Sequence, residues 1–73
     1  MGTQFEGELR QSISAAQDAS LAALDAGHPY EAYLHRVRLT ELLDLAERHG
    51  LGAGALVEPA VRAALAEDRA ALG

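Results

Sequence analysis

The sequence predicts an all-α chain of three helices, the first two forming an antiparallel hairpin and the bundle completed by oligomerisation. Three observations carry this expectation. Alanine and leucine dominate the composition, and both are strong helix formers. Apolar residues recur every three or four positions in three separate stretches. Two strong breaks, Gly27 with Pro29 and the glycines at 50, 52 and 54, divide those stretches. Residues 1–73 are read as a single small helical domain.

The first helix should run from about Thr3 to Ala26. Thr3 followed by Glu6 has the spacing of a capping box, in which each side chain satisfies the other's free backbone N–H. Phe5, Leu9, Ile13, Ala16, Ser20 and Leu24 then form a narrow stripe with a small middle, where Ala15, Ala16, Ala19 and Ser20 let another helix come close. Gly7 weakens the first turns. Gly27 suits the left-handed position that ends a helix, and Pro29 suits the first turn of the next. So short a connection makes the two helices antiparallel neighbours.

The second helix should extend from Pro29 to about His49, with Gly50 as its C-terminal cap and Leu51 supplying the accompanying apolar contact. Glu31 with His35, Arg38 with Glu41 and Asp44 with Arg48 are spaced for side-chain pairing. The apolar face changes sides along this helix. Tyr30, Tyr33, Leu34 and Val37 mark one side, while Leu39, Leu42, Leu43 and Ala46 mark roughly the opposite one. A helix that is apolar on two sides at different heights touches two different things, one of them its own chain and the other a partner.

The third helix should cover roughly Ala55 to Leu72, its regular part starting at Pro59, because proline is tolerated only in a first turn. Its stripe is Val57, Val61, Ala64, Leu65 and Leu72. Asp68 interrupts that stripe. It either meets water past the core or pairs with an arginine across a subunit interface.

Composition narrows the function classes. The apolar fraction of 49 % with 23 % charged residues argues for a folded chain. With no cysteine, disulfides and thiolate metal sites are excluded, and oligomerisation remains the common supplement for so small a core. All six cationic side chains are arginine, a bias that fits the codons of a GC-rich bacterium. The net charge of −5 disfavours nucleic acid, whose affinity needs clustered cations. No apolar run approaches a membrane span, and the first residues lack a signal-peptide pattern, so a cytoplasmic protein is expected.

No cofactor, metal or catalytic site is expected. Glu31 and His35 share a helix face, but His49 lies fourteen residues beyond His35, about 21 Å along the axis. His28 is about 10 Å away in the other direction by the same rise. Ser12, Ser14 and Ser20 lie inside a helix, not on a nucleophile elbow. The glycines at 50, 52 and 54 are followed by no lysine and preceded by no strand, so they are not a phosphate loop.

The leading expectation is therefore a small non-catalytic interaction module, a homodimeric adaptor or an accessory or regulatory subunit. Its partner-binding residues would be Tyr30, Tyr33, Leu34, Arg36, Val37, Arg38, Leu39, Leu42 and Leu43. The tyrosines are divided between two roles, one closing the core on Leu21 and Leu24, the other at an interface. Arg36 and Arg38, with His35, form the one basic cluster, read as a solvated face. The alternative is a small transcriptional regulator or antitoxin. Residues 42–51, LLDLAERHGL, resemble the first helix and turn of helix-turn-helix proteins. That resemblance implies a recognition helix over Gly52 to Ala64, where only Glu58 and Arg62 could address base edges.

Overall fold

The computed structural model describes residues 2–72, with side chains from residue 4 onward. The order is helix α1 (Gly2–Asp25), helix α2 (Pro29–Arg48), a 3-10 turn (Ala53–Leu56) and helix α3 (Pro59–Leu72), with no strand among the described residues. The Thr3 side chain lies outside the described set, and with it the expected capping box.

Both inter-helix breaks follow from local backbone chemistry. Gly27 takes φ +80 and Gly50 takes φ +71, the left-handed region that side chains with a Cβ rarely enter. Past α1, the Gly27 N–H donates to the Leu24 carbonyl at 3.0 Å and the His28 N–H to the Ala23 carbonyl at 2.8 Å. Past α2, Gly50 donates to Glu47 at 3.0 Å and Leu51 to Ala46 at 2.9 Å. This doubled pattern is the Schellman cap, and Leu51 packs against the core as expected of the residue after the glycine. Pro29 then opens α2, with Glu31 in the first turn and Arg48 in the last, both of the sign that the helix dipole favours.

The two kinds of glycine give opposite expectations. Gly7 lies inside α1, and a Cβ there would meet nothing within 4 Å. Gly7→Ala should therefore stabilise the chain by about 0.5–1 kcal/mol, since alanine loses less backbone entropy. A Cβ at Gly27 also meets open space, but its positive φ makes Gly27→Ala cost about 1–2 kcal/mol. Thermal unfolding of the two variants should move in opposite directions.

The extensive contact in the molecule is between α1 and α2, as the hairpin reading expects. Leu9, Ile13 and Ala16 of α1 meet Leu39, Leu42 and Ala46 of α2, and Ala53, Val57 and Val61 close one end. Toward the hairpin turn the buried residues are small: Ser20, Ala23 and Ala32. That stretch of α1 turns Ala23 inward and leaves Leu24 exposed, so the expected stripe ends one turn early. Helix α3 touches α2 at few positions, and the molecule is thin, with extents of 40 × 27 × 18 Å. Its smallest dimension is less than two helix diameters, so α2 is not surrounded.

The regular part of the third helix starts at Pro59, as expected from the sequence, and the residues just before it are not α-helical. Residues 53–56 wind as a 3-10 turn, Val57 is extended at φ −94 and ψ 124, and the α-helix begins at Pro59. Two side chains hold this irregular connection. The buried Gln17 amide of α1 donates from Nε2 to the Leu56 carbonyl at 3.0 Å and accepts at Oε1 from the Glu58 N–H at 2.8 Å. Arg62 Nη2 donates to the Gly54 carbonyl at 2.6 Å and to the Val57 carbonyl at 3.3 Å. Backbone groups that lack helical partners are thereby satisfied, and Val57 is held inward with 6 % of its surface exposed.

Candidate protein-binding face and groove

The two apolar sides of α2 have different fates. Leu39 and Leu42 are buried against the chain's own α1, and Leu43 is half-buried beside them. Leu39 and Leu42 therefore face the intrachain core, while Leu43 packs against it and also reaches the groove between α2 and α3. Periodicity identifies an apolar face without telling what covers it. The other side is bare. Tyr30 is 70 % exposed, Leu34 46 % and Val37 39 %.

Tyr33 stands between these two sides. It is half-buried and, with Val37, Leu43, Leu65, Asp68 and Leu72, lines a groove of about 470 Å³ between α2 and α3. Tyr33 is partly enclosed beside α3 and Tyr30 projects into solvent, whereas Leu24, one of the two residues expected to receive a tyrosine in the core, is itself exposed. Leu72, on the groove wall, is 77 % exposed. Tyr30, Leu34 and Val37 thus continue an apolar surface that runs from the groove onto the outer face of α2.

The expected basic cluster is divided. Arg36 does not point into solvent: Nε donates to Asp68 Oδ2 at 2.7 Å and Nη2 to Asp68 Oδ1 at 3.1 Å. The side chains are 12 % and 22 % exposed. Asp68 is thus only partly open to water, and within one chain it ties α3 to α2. A guanidinium removed from water needs a carboxylate fork, and Asp68 on the α3 stripe supplies it. The Tyr33 ring centroid lies 5.9 Å from the Arg36 guanidinium carbon, within cation–π range. The hydrogen bond to Asp68 is the main cause that raises the Arg36 pKa above its ordinary value, against an opposing burial effect.

Arg38 differs. Its guanidinium meets Glu41 at 3.6 Å, with both side chains more than three-fifths exposed. Of the three pairs expected on α2, this alone closes among the described residues; no ion pair joins Glu31 to His35 or Asp44 to Arg48. The histidines do not converge, and no group of three or more potential metal ligands is found among the described residues. His49 instead packs in a tilted contact against Phe5, ring centroids 5.0 Å apart and planes inclined by 60°, where the free ends of the hairpin meet. The Ser20 hydroxyl is buried and donates to the Gln17 carbonyl at 2.7 Å, which leaves it unsuited to nucleophilic attack.

The segment expected as a recognition helix is discontinuous: a 3-10 turn, extended Val57, then α3 from Pro59. Arg62, one of its two polar groups, is engaged with the backbone of that turn. No described helix is long and apolar enough to cross a membrane. No protein-family model, curated protein or solved structure matches this chain.

Sequence reasoning missed Gln17. Its spacing from Ile13 and Ser20 does place it on the buried stripe, and a polar residue on such a stripe signals a specific hydrogen-bond partner.

Proposed function

We propose that this chain is a small non-catalytic helical interaction module, a homo-oligomeric or accessory subunit of the cytoplasm, which binds protein through the outer face of α2. The observation that carries this reading is the continuous bare apolar surface of Tyr30, Leu34 and Val37, extended by the groove between α2 and α3. Scattered exposed apolar residues are ordinary on any protein. Three on one helix face beside an apolar groove are the usual mark of a binding surface. Tyrosine suits such a place because its ring gives contact area and its hydroxyl tolerates a wet rim.

A photo-crosslinking amino acid placed at Leu34, and separately at the exposed Ser14 of α1, tests the reading in living cells. Covalent protein adducts should form from position 34 and not from position 14. Equal labelling at both sites, or none at 34, would remove the case for this face.

A further inference from the structure

We infer that the occupant of the bare α2 face is a second copy of this chain, its α2 lying antiparallel, with a two-fold axis between Leu34 and Val37. The inference rests on the interaction reading above and adds a partner and a register to it. Tyr30, Leu34, Val37 and Glu41 lie on one stripe with steps of four, three and four residues, a sequence of steps that reads the same from either end. A two-fold axis at the stripe's centre therefore superposes it on itself. Leu34 then faces the partner's Val37, and Val37 the partner's Leu34. Tyr30 faces the partner's Glu41, a phenol O–H donor opposite a carboxylate acceptor.

Charge on the flank selects the same orientation. Glu31 and Arg38 are seven residues apart, on one edge of the stripe. Antiparallel helices bring matching edges together, so Glu31 lies beside the partner's Arg38, and the reciprocal pair forms at the other end. A parallel arrangement would instead set Glu41 against the partner's Glu41 within the seam. The groups needed are available. Arg38 and Glu41 are joined only by a long 3.6 Å contact between well-exposed side chains, which is weak and readily exchanged. Leu34 and Val37, the centre of the seam, both stay partly exposed within the single chain, with Val37 at the edge of the groove.

Sedimentation equilibrium of the full chain over a wide concentration range provides the test. The wild type should dimerise reversibly. Leu34→Asp, at an exposed position, should weaken the dimer at least about tenfold while helix content and melting of the monomer stay unchanged. Arg38→Glu should weaken it about three- to tenfold, and Glu31→Arg combined with Arg38→Glu should bring it back to within about threefold of wild type. A chain that stays monomeric, a dimer indifferent to Leu34→Asp, or a double reversal that restores nothing would each overturn the inference. Should the chain prove monomeric while the crosslinker at position 34 captures a different protein, only the second-copy inference falls. Should nothing be captured either, both readings fall.

Discussion

Gln17→Leu should lower the unfolding free energy by about 2–4 kcal/mol, although leucine is close in size and α1 keeps its apolar stripe. The loss comes from two backbone groups, not from the side chain's own packing. Gln17 is 6 % exposed and offers one donor and one acceptor to the extended segment around Val57, much as a neighbouring strand would. Leucine offers neither, so the part-buried Leu56 carbonyl and Glu58 N–H lose their side-chain partners. Chemical denaturation would measure the total. Hydrogen exchange would locate it: the Glu58 amide should exchange far faster, while the protected amides of α1 and α2 change only by the global loss of stability. Gln17→Glu gives a pH-dependent version. Its carboxylate accepts from Glu58 but cannot donate to Leu56, so this variant should be least destabilised below about pH 4, where the protonated carboxyl regains a donor.

That bracket also marks where sequence reasoning stops. Helix existence and the two breaks were legible because they depend on short-range rules. Gly27, Pro29 and Gly50 act on backbone within a few residues, and alanine and leucine favour helix wherever they stand. Gln17 reaches Leu56 and Glu58, 39 and 41 positions away, and no local rule names such partners. The 3-10 turn was hidden for the same reason, since Arg62 and Gln17 hold it from outside.

The candidate face was legible in outline. Two apolar sides on α2 can be read from spacing, and Tyr30, Leu34 and Val37 do stand apart from Leu39 and Leu42. Which side the chain covers for itself depends on the close approach of α1, set by Ser20, Ala23 and Ala32 near the turn. Spacing on α2 alone carries no information about that approach. Asp68 was visible as an anomaly on the α3 stripe, but its partner was visible only as one of several arginines.

Asp68→Ala should cost about 2–3 kcal/mol, below the roughly 3–5 kcal/mol typical of breaking a fully buried pair because water still reaches part of both groups. Arg36 would lose its carboxylate fork while still largely withdrawn from water beside the Tyr33 ring. The structural consequence should concentrate in α3. Few other contacts join that helix to α2, so the groove should open and hydrogen exchange in residues 65–72 should quicken before that of the hairpin. Replacing the pair together, Arg36→Met with Asp68→Leu, removes the unpaired charge and should recover most of the loss. A double-mutant cycle would then separate the pair's own contribution from the penalty of breaking it.

The pair's response to conditions follows from the same geometry. The folded state raises the Arg36 pKa, chiefly through the Asp68 hydrogen bond. The stabilisation this group contributes is therefore complete below the pKa of an unfolded arginine and is lost only as pH climbs through the still higher folded value. From the arginine side the tie holds throughout neutral and moderately alkaline solution. Salt should also act weakly here. Shortening the Debye length from about 10 Å to about 3 Å screens exposed charges such as Arg38 and Glu41 far more than a recessed bidentate contact. High salt should thus loosen any assembly that depends on Arg38 while leaving α3 docked on α2, so the two arginines of one helix can be told apart by ionic strength alone.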